Sequence, residues 1–334
     1  MTTAPTPLAQ ENTDFSAEDG VRVACAEFAR EAARPGNRPE ALHEMIIAMH
    51  RVCSALTRAI AAGMPDKYLH QLAAVARETA ALSPFVRRLQ ECPRGYAGDF
   101  ETIEYILRQE VRAPPATAAY WIELHSLTSA IVQQHRNKIL AQAQKIAAQA
   151  VRPDGRGRIL VLAAGSSPDI WLALPLLQNS EVSVTVVDSD PDAIEYSRQR
   201  LASLHEKLQF IPENVLKAGP VLQSLGPFDL VLAGGLLDYL PTRHATALIR
   251  TVVCELLAPD GRFFFTNMTS PNPYRGWMRH VANWRIFERS PDDMRSLVAG
   301  ACGEAVKVDI DADGTGLALF IECAQTHEKK ASIP

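Results

Sequence analysis

The sequence predicts an α/β fold in which a doubly wound sheet follows an N-terminal all-helical domain. Apolar residues recur every three or four positions in the first half, whereas short apolar runs separated by amphipathic stretches fill the second half. Residues that break regular structure cluster between the halves, at 152–157. We therefore divide the chain into a flexible arm at 1–20, a helical domain at 21–152, a sheet domain at 153–326 and a tail at 327–334.

The composition is that of a folded protein of about two domains. The chain has 334 residues, of which 47% are hydrophobic and 22% are charged. Its 34 basic and 38 acidic residues give a net charge of −4. No general positive field therefore attracts phosphate backbones or anionic lipids, and we expect no nucleic-acid partner.

The spacing of the cysteines and the length of the apolar runs indicate where in the cell the protein is located and whether it binds a metal. The six cysteines lie far apart, without a Cys-x-x-Cys pair or a nearby histidine, which indicates reduced thiols and no metal site. No apolar run approaches the roughly 18 residues of a membrane span. The first twenty residues contain neither the basic stretch nor the apolar stretch of a secretory signal peptide. We expect a cytoplasmic protein without membrane insertion.

Apolar spacing predicts each helix of the first half. Between residues 41 and 64 one apolar stripe forms while the charged residues fall on other faces, and the stripe consists of Leu42, Met45, Ile46, Met49, Val52, Cys53 and Leu56. Further helices are predicted at 22–34, 67–82, 100–110 and 117–149, the last ending in a polar surface segment. The loop at 91–99 has unusual chemistry, with the sequence Glu-Cys-Pro-Arg-Gly-Tyr-Ala-Gly-Asp.

Continuous β-branched and aliphatic runs in the second half predict parallel strands that are buried on both faces. We expect these strands at 158–162, at 182–187, from 208 onward, at 228–232 and at 261–266. Residues 305–310 and 316–323 are predicted to close the sheet as an antiparallel pair. The connecting helices are predicted in the 170s, at 192–205 and at 243–257.

Small and acidic residues follow the first two predicted strands, where such sheets bind ligands. The run from Ala163 to Ser167 contains one glycine, Gly165, so the backbone can approach a ligand closely. Asp188 lies 23 residues beyond Gly165, at the end of the second strand, where a carboxylate can accept hydrogen bonds from two ribose hydroxyls. This pair indicates an adenosine-bearing ligand, either a dinucleotide or S-adenosylmethionine.

Other features of the turns bear on that choice. The first turn lacks Gly-x-Gly-x-x-Gly, and the chain has no Gly-Lys-Ser/Thr phosphate loop, which disfavours a dinucleotide. Asn214, after the short strand that begins at 208, offers an amide to an adenine edge. Structural roles remain open for the same residues, since Asp188 could cap the helix that begins near Pro191 and Asn214 could be an ordinary loop residue.

The order of segments in the second half resembles that of class I S-adenosylmethionine-dependent methyltransferases. The similarity lies in the strand and turn at 227–240, the helix after them and the segment at 256–263. The motifs at 94–99, 235–240 and 277–284 look like those of a bacterial subgroup with a helical N-terminal half, which includes proteins assigned to 3-hydroxy fatty acid methyl ester biosynthesis. Small-molecule S- and N-methyltransferases have similar two-part architectures.

The resemblance implies a Rossmann-like methyltransferase sheet, S-adenosyl-L-methionine as the cofactor and a helical substrate or lid domain. The candidate cofactor-binding residues are Ala163, Gly165, Asp188, Ser189, Asn214, Val215, Gly234 and Asp238. The candidate catalytic residues are Tyr96 and Asp99, and the candidate substrate contacts are Arg94, Tyr239, Asn267, Tyr274 and Arg279. The first turn departs from the family pattern, since it reads Ala164-Gly165-Ser166-Ser167 where Cys-Gly or Gly-x-Gly is usual.

The loop at 94–99 is predicted to cover the cofactor and to reach across the strand ends towards Gly234, Asp238 and Tyr239. Arg94 could clamp a carboxylate, Tyr96 could offer its hydroxyl or ring, and Asp99 could accept a hydrogen bond over the methionine end of the cofactor. A structural alternative is that Asp99 caps the helix that starts at Phe100.

Methyl transfer from a sulfonium needs position more than acid–base chemistry, because the donor is already activated. No histidine or carboxylate pair is an obvious base, which favours a nucleophile whose lone pair is free near neutral pH. We expect transfer to a small carboxylate-bearing metabolite, at its carboxylate oxygen or at a sulfur or nitrogen, and allow for a homodimer. The alternatives are an inactive adenosyl-ligand-binding regulatory protein and an NAD-dependent oxidoreductase.

Overall fold

The computed structural model describes residues 16–153, 155–303 and 306–325. The first half of the described chain is helical, as predicted. Its helices are α1 (Ala17–Ala32), α2 (Ala41–Ala61), α3 (Asp66–Leu72), α4 (Ala74–Ala80), α5 (Pro84–Glu91), α6 (Phe100–Arg108), α7 (Ala118–Thr128) and α8 (Ala130–Ala150). None of the described helices combines the length and the apolar character needed to cross a bilayer.

The N-terminal helix begins earlier than the sequence predicted. The side chain of Ser16 accepts a hydrogen bond from the backbone N–H of Asp19, and acidic residues occupy the first turn of α1, which stabilises a helix start. The flexible arm predicted at 1–20 is therefore wrong for residues 17–20. Residues 1–15 and the tail predicted at 327–334 lie outside the described residues.

Several helix boundaries also differ from the predictions. The helix predicted at 117–149 is two helices, because Ser129 has an extended backbone (φ −64°, ψ 153°) and is the N-cap of α8. The helix predicted at 67–82 divides at Ala73 into α3 and α4. Helix α5 was not predicted, although Ser83 caps it and Pro84 occupies its first position, a common arrangement at helix starts.

The second half forms one seven-stranded sheet, in the order β3-β2-β1-β4-β5-β7-β6. The strands are β1 (Arg156–Leu162), β2 (Glu181–Asp188), β3 (Leu208–Pro212), β4 (Phe228–Ala233), β5 (Leu257–Met268), β6 (Val306–Ala312) and β7 (Ala318–Gln325). Strands β1 to β5 pair in parallel, whereas β7 is antiparallel to both β5 and β6. The predicted doubly wound α/β fold is confirmed. Its strand order reverses at β1 and β4, where the ligand crevice of such sheets opens.

Helices cover both faces of the sheet. The described α-helices of the second half are α9 (Pro168–Gln178), α10 (Pro191–Arg200), α11 (Gly219–Leu225), α12 (Thr242–Thr251), α13 (Arg275–His280) and α14 (Pro291–Cys302). Helices α8 and α9 share an apolar cluster with β1, whereas α12 and α14 share another with β4 and β5. Helix α13 packs instead among the helices of the first half, where the Trp277 ring lies 5.9 Å from that of Phe28. The two halves therefore share part of one core.

Candidate active site

A cavity of about 400 Å³ opens at the carboxyl ends of β1, β2 and β4. The turns after these strands form one side of it, and the loop before α6 together with helix α8 forms the other. All eight residues predicted for cofactor binding line this cavity: Ala163, Gly165, Asp188, Ser189, Asn214, Val215, Gly234 and Asp238. The sequence rule that places ligands at strand ends therefore located the cavity.

Asp188 joins the turns after β1 and β2. Its carboxylate accepts hydrogen bonds from the backbone N–H groups of Gly165 (2.8 Å) and Asp190 (2.9 Å). Gly165 has a φ of +55°, which favours glycine. Burial raises the pKa of Asp188, against the opposing effect of these backbone donors. The cap of α10 is Asp190 rather than Asp188, so the structural alternative for Asp188 does not hold.

A buried ion pair lies at the end of β4. The Nζ atom of Lys138, on α8, is 2.8 Å from the carboxylate of Asp238, and both side chains are only 4% exposed. The second oxygen of Asp238 accepts the backbone N–H of Met268 at 2.6 Å. The sequence predicted a polar surface for this part of α8, which is wrong at Lys138 because the helix packs across the strand ends.

Aromatic side chains form the wall of the cavity that faces the helical half. We define the aromatic wall as Tyr96, His135, Tyr239 and Trp284, all of which line the cavity. The His135 ring stacks on that of Trp284 (4.9 Å between centroids, 19° between planes). The Nε1–H of Trp284 donates to the hydroxyl of Tyr239 at 2.7 Å. The Tyr96 and Tyr239 rings meet edge to face at 5.7 Å.

The loop at 94–99 packs directly against this wall. A Cβ atom added at Gly98 would lie 2.0 Å from the Tyr239 hydroxyl, so the backbone approaches the ring too closely for a side chain. The next helix reaches the floor of the cavity, since a Cβ added at Gly165 would lie 3.4 Å from the Cβ of Phe100. The loop thus reaches Tyr239, one of the three residues towards which the sequence predicted that it would extend.

Residues 160–263 match the family model of a methyltransferase domain. The chain contains an S-adenosylmethionine-dependent methyltransferase domain. The predicted enzyme class and cofactor are confirmed. The matched segment runs from β1 into β5 and carries the turns that contain Gly165, Asp188, Asn214 and Gly234. None of the curated proteins matches the chain.

Solved structures similar to this methyltransferase share little sequence with it. A Bordetella parapertussis protein described as a possible exported protein is 13% identical, with a TM-score of 0.52 over 95% of this chain and 99% of that one. Magnesium protoporphyrin IX methyltransferase from Synechocystis PCC 6803 is 15% identical, with a TM-score of 0.45 over 60% and 89%. Mitomycin 7-O-methyltransferase is 16% identical, with a TM-score of 0.44 over 89% and 74%. The similarity to the Bordetella parapertussis protein, at 13% identity, supports the fold and not a function.

The cavity of the methyltransferase suits S-adenosylmethionine in size and chemistry. Its volume falls within the roughly 300–1,000 Å³ of small-molecule sites. The carboxylate of Asp188 can accept hydrogen bonds from ribose hydroxyls, and aromatic faces attract a sulfonium cation. Lys138 is the only lysine or arginine in the described lining, and it already pairs with Asp238, so no unpaired cation of that lining repels the sulfonium.

Five of the seven predicted catalytic and substrate residues do not line the strand-end cavity: Arg94, Asp99, Asn267, Tyr274 and Arg279. Arg94 donates to Asp190 through Nε (2.8 Å) and Nη2 (2.7 Å) and also pairs with Asp192, so it is not a free carboxylate clamp. Asn267 donates to the carbonyl oxygens of Met268 and Phe287, and its own oxygen accepts from Arg289. Arg279 pairs with Asp66 at 2.7 Å on the surface.

Asp99 has the structural role that the sequence left as an alternative. It is fully buried, caps α6 by accepting the N–H of Thr102 (2.8 Å) and pairs with Arg88 (2.8 Å). Both contacts use Oδ1, whereas the buried Oδ2 has no hydrogen-bond partner among the described residues. A catalytic role for Asp99 stays a prediction. Tyr274 lies elsewhere, in a second cavity of about 50 Å³ inside the helical half. Tyr96 and Tyr239 do line the strand-end cavity, as predicted.

Proposed function

We propose that this methyltransferase holds its cofactor along the strand ends and transfers the methyl group to a small acceptor beside the aromatic wall. One observation carries the proposal. A single cavity has a buried carboxylate, Asp188, among its strand-end residues and the aromatic wall on the side of the helical half. An adenosyl group and a sulfonium need these two environments in one site.

The cofactor contacts follow from the positions of the strand-end residues. Asp188 accepts hydrogen bonds from the ribose, and the segment at Asn214 and Val215 contacts the adenine. Gly165 lets the backbone approach the methionine portion, because no side chain occupies that space. The Oδ1 atom of Asn214 accepts the N–H of Leu216 at 2.9 Å. Its Nδ2 group makes no hydrogen bond within the described residues, so it can donate to the adenine ring.

The acceptor side works by orientation and by exclusion of water. S-adenosylmethionine supplies a methyl group on a positively charged sulfur. Apolar side chains, among them Ile103, Met278 and Ile286, line the cavity together with the aromatic wall. They exclude water from the reacting atoms and hold the nucleophile in line with the methyl group. An acceptor with a small apolar body fits this lining.

A carboxyl group on the acceptor stays a prediction. Lys138, which lines the strand-end cavity, and Arg94, the predicted carboxylate clamp, already pair with Asp238 and Asp190. A cytoplasmic location, the absence of a nucleic-acid partner and a homodimer also stay predictions.

Calorimetry with S-adenosylhomocysteine tests the cofactor site, and an acceptor screen that detects S-adenosylhomocysteine as product tests the reaction. Binding to the parent but not to Gly165→Val supports the proposal, because a branched side chain at a φ of +55° is strained and enters the site. Binding without turnover of any acceptor would favour the inactive regulatory alternative. Binding of NAD instead would favour the oxidoreductase.

A further inference from the structure

His135 is a residue of the active-site cavity that the proposed function has not used. It lies on α8, stacks on Trp284 and lines both the strand-end cavity and the smaller cavity of the helical half. Among the described residues, neither nitrogen of its ring makes a hydrogen bond. A polar side chain thus faces a largely apolar cavity with its hydrogen-bonding capacity unused.

The surroundings of His135 keep its ring neutral near neutral pH. Burial lowers its pKa well below the usual range, and the positive charges of Lys138 and Arg136 lower it further. A neutral imidazole has one protonated nitrogen and one nitrogen with a free lone pair. The stacking contact with Trp284 fixes the plane of the ring, so that lone pair has a defined direction.

We propose that His135 accepts the proton of the acceptor nucleophile, which is therefore the oxygen of a hydroxyl or phenol group. The inference rests on the proposed function, because it needs the methyl group to be presented in the same cavity. It replaces the expectation that the nucleophile has a free lone pair without a base. A carboxylate needs no base near neutral pH, whereas an alcohol or phenol must lose a proton.

The step balances without a further reactant. The hydroxyl oxygen forms a bond to the methyl carbon, the carbon–sulfur bond breaks with its electron pair remaining on sulfur, and the O–H proton passes to the free nitrogen of His135. The imidazolium charge gained by His135 replaces the sulfonium charge that was bound in the cavity. The total charge of the site is unchanged, so the low basicity of His135 is compatible with its role. Release of the proton to solvent returns the ring to its neutral form.

Other titratable groups around His135 are unsuited to the role. Burial raises the pKa of Tyr96 to about 12 and lowers that of His125 to about 4. Burial also raises the pKa of Tyr239, so both tyrosines are protonated near neutral pH. The remaining titratable or charged groups are Arg136 and Lys138 on α8, Asp238 beside Lys138, and His50, Cys53 and Tyr274 across the smaller cavity. Of these six residues only Lys138 and Asp238 line the strand-end cavity. They pair with each other, and the second oxygen of Asp238 accepts the backbone N–H of Met268, so both oxygens of this carboxylate are already engaged.

Nitrogen NMR of the histidine-labelled parent tests the proposal without turnover. His135→Phe identifies the His135 signals by their loss and keeps a ring to stack on Trp284. We expect a neutral ring near neutral pH whose signals shift when S-adenosylhomocysteine is added. A charged ring, or signals unmoved by bound S-adenosylhomocysteine, would overturn the assignment. Absence of S-adenosylhomocysteine binding by the parent would instead reject the proposed function, and the inference with it.

Three aromatic probes then compare nucleophiles: phenol, thiophenol and benzoate. We expect the parent to methylate phenol, and His135→Phe to reduce kcat/KM for phenol by about 100-fold or more while changing that for thiophenol by less than about threefold. His244→Phe, at an exposed position on α12, is the matched control. Equal losses for both probes, no loss for phenol, or methylation of benzoate alone would overturn the proposal. If no probe is turned over, the NMR result decides.

Discussion

The carboxylate of Asp188 accepts the backbone N–H of Gly165 at 2.8 Å, which ties the turn after β2 to the turn after β1. One carboxylate thus shapes the cavity floor and faces the ligand. Its other oxygen accepts the N–H of Asp190, and an ionised carboxylate offers about four lone-pair sites, so about two remain for ribose hydroxyls. Binding and local stability are therefore coupled at this residue.

The first prediction separates these two roles of Asp188. Asp188→Ala should weaken S-adenosylhomocysteine binding by about 2–3 kcal/mol, because two charge-assisted hydrogen bonds are lost. It should also lower the free energy of unfolding by about 1–2 kcal/mol, because two backbone donors lose their acceptor. Calorimetry and thermal unfolding measure these quantities, with Asp309→Ala on exposed β6 as the control. Unchanged affinity in a folded Asp188→Ala protein would refute the ribose contact.

The second prediction concerns the pH dependence of cofactor binding. Ribose hydroxyls bind the ionised form of Asp188, so protonation opposes binding and affinity should fall as the pH falls. Because burial raises the pKa of Asp188, the loss should begin at a higher pH than for an exposed aspartate. Burial also raises the pKa of Asp169, in the same cavity, to about 6. Calorimetry on Asp188→Asn distinguishes the titration of Asp188 from that of Asp169. If the affinity of this variant still falls as the pH falls, the pH dependence does not come from Asp188.

The sequence could predict the strand-end half of the site because its rules are local. A small-residue turn after β1 and an acid at the end of β2 follow from the order of elements alone, and both Gly165 and Asp188 line the cavity. The side of the site that the helical half forms could not be predicted in this way. Lys138 and His135 lie on a helix whose polar residues resemble a solvated face, and only packing of α8 across the strand ends brings them into the cavity.

At β5, the position of a residue near the end of the strand did not identify residues of the cavity. Asn267 lies within the last residues of that strand, where it binds the carbonyl oxygen of Phe287 and accepts from Arg289. Arg279 is on α13, which packs on the helical half and leaves this side chain at the surface beside Asp66. These partners are distant in sequence, so spacing along the chain does not identify them.

The third prediction separates Tyr96 from Asp99, which the sequence grouped together. Tyr96→Ala should reduce turnover by about tenfold or more with a stability loss of only about 1 kcal/mol, because it removes part of the aromatic wall. Asp99→Ala should cost about 1–2 kcal/mol of unfolding free energy through the lost N-cap, with near-normal turnover per folded molecule. Thermal unfolding and turnover are measured on both variants. A large turnover loss in a stable Asp99→Ala protein would instead support a catalytic role for Asp99.

The last prediction tests the contact between the loop and the aromatic wall by rescue. Gly98→Ala should depress turnover and stability, because its Cβ would lie 2.0 Å from the Tyr239 hydroxyl and must displace that ring from Trp284. Tyr239→Phe removes the hydroxyl oxygen, so the nearest remaining atoms, Cζ of residue 239 and Cζ2 of Trp284, each lie 3.1 Å away, close contacts that a small shift relieves.

The Gly98→Ala/Tyr239→Phe double variant should therefore be more stable than the sum of the single changes predicts, since residues in contact are not additive. Thermal unfolding of the parent, the two single variants and the double variant gives the coupling free energy directly. Gly20→Ala, at a glycine of α1 whose added Cβ meets no atom within 4 Å, combined with Tyr239→Phe is the matched control and should show no coupling. Strict additivity for Gly98 and Tyr239 would mean that the loop does not contact the aromatic wall in solution, and the prediction that this loop covers the cofactor would then be wrong.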